Sequence, residues 1–421
     1  MKKTQLFYYI LLFVITIFSL SLFLFSIFSN TNYDILSHYS KAYLILLLCY
    51  TWYTFILLFI NDLRKINYPR YRNEKISVII PVFNENLELL RNAIISVATA
   101  KGNKEIILID DGSTNQPQQY LDEITKEFGI KTHYFSKNRG KRHALHHAIT
   151  NLLGNTRYIV TIDSDTILDE NALIRIVEPL KMAEYGATTG DVRLLNESKN
   201  YLTKMQGAYY WIGLNIYKKA QSSLGMVVCC SGCIAAYKKE IIVSIIDEFV
   251  NQEFFGEACT HSEDRHLTNL VLKNGYKVVY VPEAISHTEA PTTLNEFLKQ
   301  QQRWKRGYIR ESIYTLTYAW KVRPILFIEI LFWNLTVPFF VLGLMMALFV
   351  SILLKPSFFF LTILPSWIGF IFIRYLFLFL FSSKRIPGLL IYAFLYELIL
   401  YWQFIYALFT VKNKSWVTRQ Q

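Results

Sequence analysis

Charge is scarce in this chain. Of its 421 residues only 18% are Asp, Glu, Lys or Arg, against 52% hydrophobic, a deficit that excludes an ordinary soluble enzyme. Residues 6–28 and 42–60 contain no charged side chain at all, and each reaches the roughly 20 residues a helix needs to cross a hydrocarbon core of about 30 Å. The first run exceeds the apolar stretch of about 7–15 residues found in signal peptides, and no small-residue cleavage site follows it. It reads as a retained span. Cysteine is also sparse: Cys49, Cys229, Cys230, Cys233 and Cys259 are all there are. Cys230 and Cys233 make one C-x-x-C, but no second well-spaced Cys or His pair completes a zinc site, and a cytosolic domain keeps its thiols reduced. Acidic residues number 32 against 44 basic, a net charge of +12. Much of that excess flanks the apolar segments, so the expected partner is a lipid bilayer with anionic head groups, with no nucleic acid.

Arg64, Lys65, Arg70, Arg72 and Lys75 against Asp62 and Glu74 place the polar middle of the chain in the cytoplasm by the positive-inside rule, and Lys2 and Lys3 agree. The reading is thus a multi-pass protein of the plasma membrane with a cytoplasmic catalytic domain. From residue 76 to about 192, β-rich apolar runs (76–82, 105–109, 132–135 and 158–162) alternate with helix-length segments, the signature of an α/β domain with a mainly parallel sheet. Ligands of such sheets bind at the carboxyl ends of strands, where Asp110-Asp111 and Asp163-Ser164-Asp165 fall. Asp111-Gly112 is also an ordinary turn signal, but two acidic motifs at equivalent strand ends favour a site.

Residues 294–320 combine Gln, Lys and Arg with Phe297, Leu298, Trp304, Tyr308 and Ile309, as an amphipathic helix lying on a membrane face does. From 325 to 411 the sequence is nearly continuously apolar, broken at Lys355-Pro356 and at 382–387, which gives three segments. Three full crossings would leave Lys412, Lys414 and Arg419 outside against the charge rule, so one segment is expected to be interfacial or re-entrant. Glu329, Asn334 and Glu397 lie within these runs; polar groups there face a protein interior or a wet cavity, or, for Glu329, snorkel at a helix end. The expected organisation is two N-terminal membrane helices (1–62), a cytosolic domain (63–293), an interface helix region (294–324), C-terminal membrane helices (325–411) and a cytosolic tail (412–421).

Transfer of a sugar from a nucleotide diphosphate requires neutralisation of the leaving phosphate, usually by a divalent cation held by carboxylates. Asp163 and Asp165, at i and i+2, would share a face of a strand and offer hard oxygens suited to Mg2+ or Mn2+. The acceptor hydroxyl needs a carboxylate base on its other side, and Asp264, between Glu263 and Arg265, is the candidate, with Glu263 next. Taken alone, an Asp-Arg pair is most often a structural ion pair. Lys141 and Arg142, beside Gly140, either bind donor phosphates or begin a solvated helix. Trp304 offers an indole face along which successive sugar rings slide, or else an interfacial anchor.

The residues 77–85 (SVIIPVFNE), Asp110-Asp111-Gly112-Ser113, Asp163-Ser164-Asp165, Glu263-Asp264-Arg265 and Gln300-x-x-Arg303-Trp304 together resemble the processive family 2 glycosyltransferases, over nearly the whole chain. Within that family Asn138-Arg139-Gly140-Lys141-Arg142, Cys230-Ser231-Gly232, Ser262-Glu263-Asp264-Arg265-His266-Leu267-Thr268 and Trp416-Val417-Thr418-Arg419 are similar to stretches of hyaluronan synthases and chitooligosaccharide synthases. The resemblance implies a GT-A fold inserted between transmembrane helices and inversion at the anomeric centre. It implies that Asp110 and Asp111 contact the nucleotide, Asp165 the metal, Arg303 the diphosphate and Trp304 the acceptor sugar. Gln300, Cys230, Ser231, Trp416 and Arg419 join the substrate-binding set on the same ground. Two departures bear on the product: Gly232-Cys233 stands where hyaluronan synthases carry Gly-Pro, and Val417 where they carry Gly. The expected activity is polymerisation of an N-acetylglucosamine-containing β-linked glycan from UDP-sugars onto a growing polysaccharide and its extrusion, with a hyaluronan-type or a chitin-type product. The reading from another class is a non-catalytic nucleotide-sugar receptor or transporter, which needs neither a base nor an acceptor platform.

Overall fold

The computed structural model describes residues 34–64, 66–115, 118–353 and 399–413, with Arg385 and Leu395. The run 6–28, the break at Lys355-Pro356, Glu397, Trp416 and Arg419 lie outside the described residues.

Helix α1 (Asp34–Leu63) leads into an α/β domain: β1 (Ile76–Val82), α2 (Leu87–Thr99), β2 (Lys104–Asp110), α3 (Gln118–Glu127), β3 (Lys131–Tyr134), α4 (Lys141–His147), β4 (Tyr158–Thr161), β5 (Ile167–Leu168), α5 (Ala172–Val177), β6 (Tyr185–Leu194), α6 (Tyr201–Ile212), β7 (Ala235–Lys238), α7 (Lys239–Val250), the small hairpin β8 (Glu253–Phe254) and β9 (Glu257–Ala258), α8 (Glu263–Lys273) and β10 (Lys277–Thr288). Then come α9 (Leu294–Val322), α10 (Pro324–Leu353) and α11 (Tyr401–Phe409). β1 reads ISVIIPV and is buried at every position, as a strand covered on both faces must be. α2 covers one face through Leu90, Ala93, Ile94 and Val97, spaced at helical period, and Asn86 caps it by accepting from the N–H groups of Glu88 and Leu89.

The eight-stranded sheet runs β3-β2-β1-β4-β7-β6-β10-β5. β3, β2, β1 and β4 are parallel to one another, and β6 is parallel to β10. β7 is antiparallel to both β4 and β6, and β5 is antiparallel to β10. The sheet is therefore mixed where the alternation of the sequence predicts a mainly parallel one. The reason is local: Ala235 at the start of β7 lies opposite Thr161 at the end of β4, so β7 sets out from the end where β1, β2 and β4 finish. That reversal delivers residues 229–232, just ahead of β7, to the strand ends bearing the acidic motifs.

α9 lies across α8 and packs on α10 and α11. Arg323 ends it, donating from Nη2 to the carbonyls of Gly275 (2.7 Å) and Tyr276 (3.0 Å). Among the described residues no helix is long and apolar enough to cross a membrane. Ile325, Ile328, Leu331 and Leu335 of α10 and Trp402, Tyr406 and Phe409 of α11 are nonetheless exposed. Glu329 does not snorkel: it is buried, and accepts from the Gln221 amide (2.6 Å) and the Tyr53 hydroxyl (3.2 Å), which ties α10 to α1 and to the catalytic domain.

Candidate active site

The Asp110-Asp111 motif closes β2 and organises the loop beyond it. Asp110 accepts from the Ser113 hydroxyl (2.5 Å) and backbone N–H. Asp111 accepts from the backbone N–H groups of Arg139 and Gly140, both at 2.8 Å. Burial pushes Asp111 up to about 6 in spite of those two donors, and the adjacent Asp110 adds to the push. Asp110 thereby fixes the turn at Ser113, and Asp111 holds residues 139–140 so that Lys141 starts α4.

Lys141 is the centre of the site. Its Nζ lies 2.5 Å from Asp163 Oδ1 and 3.2 Å from Glu263 Oε1. Burial alone would lower the ammonium, but Asp163, Glu263 and Asp264 around it drive it strongly upward. Glu263 is pulled the other way, burial raising it while Lys141 holds it at about 2. Asp264, next to it at the start of α8, is raised by burial and by the neighbouring Glu263. Its Oδ1 accepts from the Arg265 backbone N–H (2.7 Å), and the Cys229 thiol donates to Oδ2 (3.6 Å). Burial and Asp264 keep Cys229 well above the usual thiol range, so it remains a donor. A carboxylate of raised affinity for protons beside a permanently ionised one is the pattern of a general base set apart from its neighbour.

Asp163 and Asp165 do not share a strand face as their spacing predicts; they sit in the turn between β4 and β5. Ser164 points inward and donates to Glu85 Oε2 (2.6 Å), which leaves the flanking aspartates half-buried at the strand ends. Gly232 lies over them: a Cβ there would stand 2.8 Å from both Asp163 Oδ2 and Lys141 Nζ, so the glycine keeps the space above this carboxylate open. Among the described residues no group of three or more His, Cys, Asp or Glu is arranged to cage a metal. Two half-buried aspartates under an open glycine do fit an Mg2+- or Mn2+-type ion that takes its remaining ligands from phosphate oxygens and water. Tyr210 of α6 completes this side. It is driven well above the usual tyrosine range by burial and then by Cys233, Tyr209, Asp165 and Asp163. Its ring lies 6.4 Å from that of Trp304, tilted by 57°.

The structure thus brings Lys141, Asp163, Asp165, Glu263, Asp264, Cys229, Tyr210 and Trp304 into one connected set. It does not bring Arg142 there: the guanidinium is buried, donates to Phe249 O (2.5 Å) and Gln252 Oε1 (2.8 Å), and lies 4.8 Å over the Phe249 ring. Of the adjacent cationic pair, Lys141 faces the site and Arg142 the core, because successive helix positions are turned by about 100°. Cys230 is buried, burial pushing its thiol up to about 12, and its backbone N–H donates to Thr268 Oγ1 (2.9 Å). Ser231 is held through its N–H and hydroxyl on Thr189 Oγ1, each at 3.3 Å. These two residues shape the segment that presents Cys229 and Gly232. Arg265 turns from the acidic cluster to stack 4.5 Å over Tyr308. Arg303 lines a cavity of about 700 Å³ between α9 and α11, with Gln302, Arg306, Trp402 and Tyr406. Among the described residues the buried Oε1 of Gln300 has no hydrogen-bond partner. Cys229 and Tyr210 carry no sequence signal for these contacts: Tyr210 lies in an aromatic run without polar spacing, and Cys229 precedes the Cys230-Ser231-Gly232 stretch, of which only Gly232 reaches the carboxylates.

The sequence profile of Glycosyl transferase family 2 matches residues 77–245, the span from β1 into α7. An N-acetylglucosaminyltransferase of Azorhizobium caulinodans is 30% identical over 351 residues, covering 82% of this chain and 87% of that protein. One from Mesorhizobium japonicum is 34% identical over 244 residues, 56% of this chain and 57% of its own length. Among solved structures, the mannosyltransferase PcManGT from Pyrobaculum calidifontis, in complex with GDP-Man and Mn2+, superposes with a TM-score of 0.60 at 15% identity, over 86% of this chain and 98% of that one, which is a likeness of fold. With the mixed sheet, the acidic strand ends and a relative matched over most of its length, the chain belongs to glycosyl transferase family 2, and it is a glycosyltransferase.

Proposed function

We propose that the protein is a membrane-embedded, inverting and processive glycosyltransferase that adds N-acetylglucosamine from UDP-N-acetylglucosamine to a β-linked glycan and extrudes the product. The observation that carries this reading is the single ammonium of Lys141 standing between Asp163 on the donor side and Glu263-Asp264 on the acceptor side. The names of the rhizobial relatives support the donor sugar. The uncharged runs of the sequence and the exposed apolar faces of α10 and α11 support the membrane.

In this mechanism the donor diphosphate lies over the β4–β5 turn. Asp163 and Asp165 would hold a divalent cation, which when bound supplies charge neutralisation for the leaving phosphate. Asp264 takes the proton from the acceptor hydroxyl, and its raised proton affinity suits it to do so near neutral pH. Glu263, kept ionised by Lys141, withholds itself from that role and keeps its neighbour's affinity high. Trp304 and Tyr210 form the aromatic wall against which the acceptor sugar rests.

The test gives purified full-length protein radiolabelled UDP-N-acetylglucosamine with Mg2+ or Mn2+, alone or with UDP-glucuronic acid, and digests the product with chitinase and with hyaluronidase. Incorporation from the single donor into chitinase-sensitive material is expected. Hyaluronidase-sensitive product formed only with both donors moves the assignment to a hyaluronan-type synthase. Binding of UDP-sugar without any transfer or UDP release overturns the enzymatic reading in favour of a receptor or transporter. Asp165→Asn and EDTA are each expected to abolish transfer, and full activity in either refutes the metal assignment.

A further inference from the structure

Behind the site, and outside the mechanism just given, lies a buried polar bracket centred on Glu311 of α9. Glu311 has no exposed surface. Its Oε2 accepts from His266 Nδ1 (3.0 Å) and from the Asn269 amide (3.1 Å), both on α8. Its Oε1 accepts from the Gln252 amide (2.7 Å) and from Arg310 Nε (3.4 Å). Gln252 in turn accepts from Arg142 (2.8 Å), the residue that follows Lys141 on α4. Asn269 is fixed from its other side by Thr315 Oγ1 (2.9 Å) and the Tyr318 hydroxyl (3.2 Å), one and two turns further along α9. One carboxylate thus joins the helix that carries Asp264, the helix that begins with Lys141 and the helix that carries Trp304.

Seven residues, two turns or about 10 Å of helix, separate Trp304 from Glu311, so the two lie on one face of α9. Between them Gly307 permits close approach to α8. A Cβ at 307 would collide with Ser262 Oγ and stand 2.7 Å from Ser262 Cβ, and Ser262 is the residue that opens α8 in a left-handed conformation, φ 64°. A buried carboxylate satisfied by four donors is costly to create and rigid once made, a high outlay for a helix pair that apolar contacts alone would hold. What such a bracket provides is a fixed distance.

We propose that Glu311 is a positioning residue: it locks the acceptor helix α9 to the base helix α8 and the Lys141 helix α4, so that the acceptor resting on Trp304 is presented to Asp264 at one set distance. The proposal rests on the glycosyltransferase reading above. Loosening the bracket leaves the donor side built, because Asp163, Asp165 and Gly232 belong to other elements and Lys141 keeps its ion pair with Asp163. It misplaces the acceptor relative to the base. Sugar then passes to water more often than to the acceptor, so donor cleavage and glycan synthesis come apart.

The experiment uses the full-length protein with Glu311→Gln, which keeps the shape but offers a donor where an acceptor is needed. A second variant, Gly307→Ala, pushes α9 from Ser262 without touching the buried charge. For parent and variants one measures UDP binding in the presence of Mn2+, UDP release from UDP-N-acetylglucosamine, and sugar incorporated into glycan. Hydrogen exchange of residues 263–273 and 294–322 is followed in the absence of donor. The expected result is UDP binding within about threefold of the parent, a ratio of incorporation to UDP release at least tenfold lower in both variants, and faster exchange in 263–273. A proportional fall of release and incorporation, or an unchanged ratio, overturns the positioning role. If Glu311→Gln does not fold, the ratio in Gly307→Ala decides by the same criterion. Should the parent itself transfer no sugar, the glycosyltransferase assignment fails separately, and the exchange data alone decide on the bracket: unchanged exchange in 263–273 refutes it.

Discussion

Replacing Lys141 by Met removes the cation that Asp163 and Glu263 share, and the structure sets the size of the effect. Lys141 is buried between its partners and holds Glu263 at about 2 against an ordinary 4.5. Deleting one member of a buried ion pair costs about 3 kcal/mol at the least. For a domain of this size that is a fall in Tm of about 6–12 °C. The sign of the pH dependence is the sharper test. In the parent, Glu263 titrates below its unfolded value, so its contribution is complete above about pH 4.5 and is lost only as the pH falls towards 2. In Lys141→Met, burial and mutual repulsion place Glu263 and Asp264 above their unfolded values. The native state then binds more protons than the unfolded state, and stability falls as pH rises from 5 to 8. Thermal unfolding of the metal-free protein in detergent across that range reads both quantities. Lys141→Arg, which keeps the charge, should recover most of the loss. Because Asp111 and Asp264 already stand above their unfolded values in the parent, the test is the difference: a destabilisation below about 1 kcal/mol, or a variant whose stability declines no more steeply than the parent's between pH 5 and 8, refutes the placement of Lys141 as the shared counter-ion.

Three further outcomes are expected. Asp264→Asn should lower sugar transfer by about 10² to 10⁴-fold while UDP binding with Mn2+ persists; transfer above a few per cent of the parent moves the base to Glu263. Gly232→Ala places a methyl carbon 2.8 Å from Asp163 Oδ2 and Lys141 Nζ, and should weaken UDP-sugar binding at least tenfold by calorimetry without loss of folded protein; unchanged affinity means the space above Asp163 is not used. Trp304→Ala should give short or no product with residual UDP release, and Trp304→Phe an intermediate length; equal product length in parent and Trp304→Ala excludes the acceptor role.

The strands around β1 were legible because ISVIIPV and its neighbours are continuous apolar runs, those of β2 and β4 ending in acidic motifs, and a fully buried strand leaves no other pattern. The antiparallel entry of β7 was not legible: AAYK is too short to carry a direction, and only its register with β4 shows from which end it starts. The same division holds in the site. Asp264 and Asp163 declare themselves as carboxylates in fixed order, whereas the separation of Lys141 from Arg142 depends on how α4 is rotated about its axis. Both readings offered for that pair miss what Arg142 does, which is to serve the core through Phe249 and Gln252. Asp163 and Asp165 keep their expected proximity for an unexpected reason, a turn held by Ser164 and Glu85. Glu311 lies in a segment whose Arg, Lys and Gln content suggests a wetted face, and nothing in that pattern marks one carboxylate as fully enclosed.

The late strand β10 has a consequence for the order in which the protein assembles as it is made. β3, β2, β1 and β4 pair with one another among residues 76–161, so these four strands can assemble once residue 161 has left the ribosome, with β4 still awaiting β7. β10 must reach back across 92 residues, from Lys277 to Tyr185, to find β6, and pairings that close such long loops form late. The strand ends that carry Asp111 and Asp163 therefore take shape while Asp264 and Trp304 are still unmade or unplaced. A nascent chain that stalls before residue 263 holds a donor half without a base. It spends no sugar nucleotide, and competence arrives only with α8 and α9, at the end of synthesis of the domain.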